Sequence, residues 1–278
     1  KKHFSVNLSR QLCAMCVPNN QTLLIRWYFI SMEKFLYKIW VLLFMNDVES
    51  KLLDLTDVKD KIIFDVGAFR GVFTNTMMKQ DNLNGNISNY YLFDPNPNSK
   101  HYLEDILKNR NVKYYELAFD NSNTKKEFTI NRFFEASGSS LKSAHKDDKL
   151  YNATRKSILK LINPFKKIKD YETITVQTQT IDNFCSINNI DRIDILKLDC
   201  DGTEYEVLLG AEKLLSENKI GLIYTEVSGV KKRFDSKVDE IVKLLDKYNF
   251  QLKQTWNFPH FSFLSNLKAT DNLFIKKN

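Results

Sequence analysis

Glycine and proline are scarce, 8 and 5 in a chain of 278 residues. That excludes a collagen-like or linker-rich chain and makes each glycine informative. The four cysteines are too few and too unevenly placed for a disulfide framework, so a reducing cytoplasm is the expected setting. Cys13 and Cys16 form a C-x-x-C, but no second pair follows at zinc-site spacing, and Cys185 and Cys200 stand alone. Long apolar runs are missing too. The most apolar stretch, Leu23 to Met45, is broken by Arg26, Glu33, Lys34 and Lys38 and is not expected to span a bilayer. No apolar run with a small-residue cleavage site follows Lys1 and Lys2, so no secretory signal is expected. One-signed charge is modest as well, with 41 basic against 34 acidic residues. The lysines are spread through the chain and no RNA-binding module is visible, so nucleic acid is not the expected partner.

What is present is an ordinary globular mixture, 43% hydrophobic and 27% charged, which predicts a folded chain. Between Leu23 and Met45, aromatic residues such as Trp27, Phe35 and Trp40 accompany basic ones, the pattern of one or two amphipathic helices. Such a face packs on its own domain, on a second copy in a homo-oligomer, or on a membrane surface. From Lys61 the pattern changes. Short apolar runs at Lys61 to Val66, Asn89 to Phe93, Val112 to Glu116, Ile193 to Leu198 and Ile220 to Thr225 read as buried strands. Helical spacing fills Val72 to Lys79, Lys100 to Lys108, Glu204 to Leu215 and Lys237 to Tyr248. This alternation predicts a doubly wound α/β sheet, whose ligands sit beyond the carboxyl ends of its strands. Glu127 to Arg132 and Thr173 to Thr178 read as further strands, Ser137 to Ser143 as a small-residue loop, and Leu150 to Lys169 as a basic helical insertion.

Acids stand at the strand ends. Asp65-Val66-Gly67-Ala68-Phe69-Arg70-Gly71 is not the G-x-G-x-x-G of dinucleotide sites. A carboxylate beside a glycine turn disfavours a pyrophosphate and suits a cationic ligand such as S-adenosylmethionine, which carries an ammonium and a sulfonium but no phosphate. Asp94, ending the second strand, is suited to two ribose hydroxyls. Gly67 is expected where the ligand approaches the backbone too closely for a side chain. The second cluster is Lys197-Leu198-Asp199-Cys200-Asp201-Gly202-Thr203-Glu204. It lacks the spacing of a calcium loop and follows a strand. A lysine inside an apolar strand needs a partner, and Asp199 and Asp201 are the nearest candidates in sequence.

These residues resemble the FkbM family of S-adenosylmethionine-dependent methyltransferases. The resemblance rests on Phe64-Asp65-Val66-Gly67-Ala68 with Gly71, Phe93-Asp94-Pro95-Asn96-Pro97, Ser137-Gly138-Ser139-Ser140-Leu141 and Thr180-Ile181-Asp182. It continues through Ile195 to Asp199, Asp201 to Glu204, and Leu208-Leu209-Gly210-Ala211. Phe69-Arg70 fills a turn that usually carries smaller polar residues, and Asp94 and Asp201 replace the more usual glutamate. The resemblance implies a Rossmann-like class I methyltransferase fold with a seven-stranded, mostly parallel sheet, here with an N-terminal helical extension. Residues 1–59 are then the amphipathic segment and 60–278 the methyltransferase domain. The implied activity is methyl transfer from S-adenosylmethionine to a hydroxyl, on a sugar, nucleotide sugar or surface glycan precursor. Asp65, Gly67, Phe69, Gly71, Asp94, Asn96 and Ala118 are the implied cofactor residues.

Such a transfer requires a hydroxyl to be aligned and relieved of its proton. Asp199 and Glu226, expected to end adjacent strands, are candidate ligands of Mg or Mn, with His260 from the late Phe258-Pro259-His260-Phe261 loop completing the site. Without a metal, Lys197, Asp201 or His260 serves as base; Lys197, Asp199, Asp201 and His260 are the candidate catalytic residues. The competing readings are an RNA methyltransferase and a membrane-peripheral binding protein at the inner membrane surface.

Overall fold

The computed structural model describes residues 52–56, 59–131, 139–141, 152, 153, 157, 171–257 and 267–277. Among the described residues, ten strands and the helices between them run in the order β1 Ile62–Val66, α1 Val72–Asn84, β2 Asn89–Phe93, β3 Val112–Tyr115, β4 Ala118–Phe119, β5 Lys125–Asn131, β6 Tyr171–Gln179 and α2 Ile181–Asn188. There follow β7 Ile193–Leu198, α3 Glu204–Leu209, α4 Glu212–Ser216, β8 Ile220–Val230, α5 Lys231–Asp246, β9 Phe250–Asn257 and β10 Leu267–Lys276. Seven strands form one sheet in the order β3-β2-β1-β7-β8-β10-β9. The first five run parallel, and β10 pairs antiparallel with both β8 and β9. A second sheet, β4-β6-β5, carries the additional strands.

Both faces of the main sheet are covered, so its central strands are mostly apolar on both faces, and all six residues of β7, Asp194 and Lys197 among them, are buried. Successive residues nevertheless feed opposite clusters. Phe64 and Leu196 pack with α2 to α5 through Phe184, Val207, Leu214 and Leu245. Ile63 and Ile195 pack on the other face with Phe73 and Met77 of α1, Leu103 and Tyr224. A single-turn 3-10 helix, Leu52–Leu55, buries Leu52 and Leu53 in that second cluster. The folded unit therefore begins before residue 60.

Several expected boundaries shift. The segment 100–108 forms two short 3-10 turns, Lys100–Tyr102 and Ile106–Lys108, in place of a helix. The helix expected over 204–215 is split at Gly210, which lies against the backbone just beyond β4 and β6: a Cβ there would stand 2.3 Å from the Asp120 carbonyl oxygen and 3.3 Å from Thr180 Cα. Strand β8 continues past Thr225 to Val230 because β10 pairs along it. Helix α2 and strands β9 and β10 had no expectation attached to them. The amphipathic stretch 23–45, the Cys13/Cys16 pair, Ser137, Gly138, and most of the insertion 150–169 lie outside the described residues. Among the described residues, no helix is long and apolar enough to cross a membrane.

Candidate active site

Strands β1 and β7 are neighbours, and their register sets Asp65 directly opposite Lys197. Both side chains are buried. Lys197 Nζ lies 3.1 Å from Asp65 Oδ1 and 3.5 Å from Asp199 Oδ2, and donates to the Gly67 carbonyl at 3.0 Å. Asp65 Oδ2 accepts from the Thr74 hydroxyl of α1 at 2.8 Å. Burial by itself would lower the Lys197 pKa, but the Asp65 and Asp199 carboxylates more than reverse this and leave it raised. The two carboxylates thus favour the protonated form of Lys197, and its nearest carboxylate partner is Asp65.

The turn after β1 is built on this ion array. Gly67 and Gly71 adopt φ +78° and +68°. A Cβ on Gly67 would stand 1.8 Å from the carbonyl oxygen of Asp199, so the glycine lets the β1 and β7 turns pack backbone to backbone. Phe69, at φ +43°, donates its N–H to Asp94 Oδ2 at 2.8 Å. Asp94 Oδ1 accepts from the N–H of Asn96 at 2.8 Å. Burial raises the Asp94 pKa to about 6 against these hydrogen bonds. Asn96 is turned inward, its Oδ1 accepting from the N–H and side-chain amide of Asn98. Ala118 is buried beside Phe69, Phe128 and Val176. The Arg70 guanidinium lies over the rings of Phe69 and Tyr102, 5.1 and 4.7 Å from their centroids.

The turn after β7 is held by Glu204, whose buried carboxylate accepts from the N–H groups of Cys200 and Gly202, both at 3.0 Å. Burial pushes its pKa up to about 7. Asp201 takes φ +51° and Gly202 φ +104°. The Asp199 carboxyl is half-buried and shifted upward, chiefly by burial, with Lys197 opposing and Asp201 and Asp65 adding to the rise.

Glu226 does not end its strand. It lies within β8, cross-strand from Asp271 of β10, which in turn faces Trp256 of β9. Leu198 pairs with Thr225, so Asp199 comes level with Glu226, and the row Asp199, Glu226, Asp271, Trp256 crosses the sheet. Burial and then the neighbouring Asp199 and Asp271 lift Glu226 well above the usual carboxylate range. Asp271 accepts from the Tyr224 hydroxyl at 2.6 Å and is pushed up to about 7, mainly by burial. Among the described residues, no three His, Cys, Asp or Glu side chains are placed to hold one metal ion. The expected third ligand, His260, lies outside the described residues. The described donors therefore do not by themselves make up the anticipated Mg or Mn site. The donor set does fit S-adenosylmethionine: Asp199 follows β7 half-exposed, and Asp94 follows β2, each of its oxygens accepting one backbone N–H with a lone pair left for a diol.

Glu204, Tyr224 and Asp271 carried no assigned role in the sequence reading. The buried acid two residues after Gly202 was the one signal that could have marked Glu204 as a clamp for the turn. Nothing local marks Asp271, because its partners Glu226 and Tyr224 come from β8.

A family model of the Methyltransferase FkbM domain matches residues 65–252, more than half of the chain. Among solved structures the chain is similar to Methyltransferase FkbM from Methylobacillus flagellatus KT, at 12% identity and TM-score 0.48, covering 81% of this chain and 47% of that one. The chain thus spans about half the length of that protein. It is also similar to the 1,6-didemethyltoxoflavin-N1-methyltransferase of Burkholderia thailandensis, solved with 1,6-didemethyltoxoflavin and S-adenosylhomocysteine, at 11% identity and TM-score 0.41 over 95% and 92% of the two chains. TYW2 of M. jannaschii, in complex with AdoMet, is similar at 14% identity and TM-score 0.37 over 84% and 76%. No curated protein matches.

Proposed function

The chain belongs to the FkbM methyltransferase family, and on that premise we propose that it is an S-adenosylmethionine-dependent O-methyltransferase acting on a hydroxyl of a sugar, nucleotide sugar or surface glycan precursor. The observation that carries this reading is the buried Asp65, Lys197, Asp199 array under the Gly67 turn, at the carboxyl ends of β1 and β7. That is where an open α/β sheet binds its ligands. When bound, the cofactor supplies a methyl group on a positively charged sulfur. Asp94 accepts hydrogen bonds from the ribose diol. Asp199 takes the hydroxyl proton. Its raised pKa makes it a stronger base than a solvated aspartate, and Lys197 fixes its position and steadies its charge until the proton arrives. Hydroxyl groups of a polyol acceptor find further hydrogen-bond acceptors in Glu226 and Asp271.

Calorimetry and turnover test this directly. Asp94→Ala should weaken S-adenosylhomocysteine binding by about 10- to 100-fold, the worth of hydrogen bonds to a charged group. Asp199→Asn should cut methyl transfer to a panel of nucleotide sugars by roughly 100-fold or more, the usual contribution of a general base, while the S-adenosylhomocysteine affinity stays the same. Full turnover by Asp199→Asn would defeat the base assignment. So would activity that chelation abolishes and Mg or Mn restores. Contact of residues 23–45 with a membrane surface rests on their aromatic and basic composition; vesicle flotation with and without residues 1–51 tests it.

A further inference from the structure

The small-residue motif ending in Ser139-Ser140-Leu141 has no part in the chemistry above, yet it reaches the turn that carries Asp199. We propose that Ser140 is a positioning residue that braces the 199–204 turn and so aims the Asp199 and Asp201 carboxylates into the mouth. This rests on the reading of Asp199 as the base. Ser140 is 1% exposed. Its backbone exchanges two hydrogen bonds with Thr129 of β5, Thr129 N–H to Ser140 O at 2.9 Å and Ser140 N–H to Thr129 O at 3.1 Å. The neighbouring Ser139 Oγ accepts from the N–H of Asn131 at 3.0 Å. Anchored in this way, the Ser140 hydroxyl lies 3.0 Å from the carbonyl oxygens of both Cys200 and Asp201. One hydroxyl has one proton, so it is shared between the two carbonyls or alternates between them.

The turn needs holding. Asp201 and Gly202 are consecutive residues at positive φ, and an aspartate there is strained by its Cβ. Such a backbone persists only where its surroundings over-determine it. Here two clamps act from opposite sides: Glu204 gathers the N–H groups of Cys200 and Gly202, and Ser140 gathers the carbonyls of Cys200 and Asp201. The start of the turn is pinned separately, by the Asp199 N–H donating to the Val66 carbonyl at 3.0 Å. Without the hydroxyl the Cys200 carbonyl keeps only the long 3.4 Å hydrogen bond from the Thr203 hydroxyl, the Asp201 carbonyl loses its bond from Ser140, and the peptide planes on either side of Asp201 are freer to rotate together with both carboxylates. The Ser140 hydroxyl meets the turn at two backbone carbonyls, so its effect on the proton transfer is through Asp199.

Site-resolved hydrogen exchange on the full chain tests this without any acceptor. In Ser140→Ala the Cys200 and Gly202 amides should exchange about tenfold faster, the loss expected for one net hydrogen bond, while the β1 and β7 amides keep their wild-type rates. The S-adenosylhomocysteine affinity should be unchanged. Turnover of the nucleotide-sugar panel should fall in kcat without a change in KM, and Ser140→Thr, which keeps a hydroxyl, should restore both exchange and kcat. Unchanged exchange at Cys200 and Gly202 would overturn the proposal. Equally faster exchange throughout β1 and β7 would overturn it too, by showing a general loss of stability. Failure of the Asp199 assignment would show in Asp199→Asn turnover and leave the exchange result standing.

Discussion

Gly67 illustrates how much a single missing side chain can decide. The sequence suggested that it leaves room for a ligand, but a Cβ would strike the Asp199 carbonyl at 1.8 Å, on a backbone at φ +78°. Gly67→Ala should therefore destabilise the fold by about 2 to 5 kcal/mol, the sum of overpacking and left-handed strain, read as a lowered denaturant midpoint. A wild-type midpoint with lost cofactor binding would return the glycine to the ligand. Glu204 gives a second residue-level consequence. Its pKa is about 7 in the fold, raised by burial, against an ordinary 4.5. The folded state therefore holds the proton more tightly, and the associated stability is complete below the ordinary value and lost as pH rises through about 7. At 1.36 kcal/mol per unit that loss is up to about 3 kcal/mol. Asp271 and Asp94, at about 7 and about 6, act in the same direction. Melting temperature should fall between pH 5 and pH 8, and Glu204→Gln, which keeps an acceptor for the two N–H groups, should flatten that slope. An identical slope in the variant would refute it.

Among the elements, the split helix shows how packing overrides periodicity. Apolar spacing runs unbroken from Glu204 to Leu215, yet the chain kinks at Gly210 and starts again as α4. The new helix start is capped from a distance. Asp182, in the first turn of α2, accepts from the N–H groups of Lys213 and Leu214 at 2.9 and 3.0 Å, while Thr180 caps α2 itself by accepting from the Asn183 N–H at 3.1 Å. The Thr180-Ile181-Asp182 motif is thus a pair of helix caps, one local and one remote. Asp182→Ala should cost about 0.5 to 2 kcal/mol, the usual worth of a lost cap, with S-adenosylhomocysteine binding unchanged in calorimetry. Lost binding at full stability would place Asp182 in the site instead.

For the molecule as a whole, the question is where the folded unit begins. Leu52 and Leu53 are 1% and 2% exposed within the cluster that holds Phe73 and Tyr224. Emptying two buried leucine sites costs several kcal/mol; single Leu→Ala changes cost about 2 to 5. A chain starting at residue 60 should consequently unfold at markedly lower denaturant than one starting at residue 52, and equal midpoints would show that the 3-10 turn adds nothing. Trp256 belongs at this scale as well. It enters the carboxylate row only because β9 closes the sheet edge next to β10.

The sequence by itself determined the doubly wound class, five of the strands in the main sheet, and the acids at the carboxyl ends of β1, β2 and β7. Buried parallel strands read as near-continuous apolar runs, and polar residues gather where such runs leave the core. It also marked Lys197 as needing a partner, because a lone ammonium in an apolar strand is costly. Only the tertiary structure decided which partner. Asp199 is nearer in sequence, but β1 lies beside β7, and that places Asp65 opposite Lys197 at 3.1 Å. The same holds for the row through Glu226 and Asp271 and for Ser140 at the Asp201 turn. Periodicity along a chain reports which face of a strand is buried, whereas charge pairing, cross-strand rows and backbone clamps depend on strand order and register, which long-range packing sets.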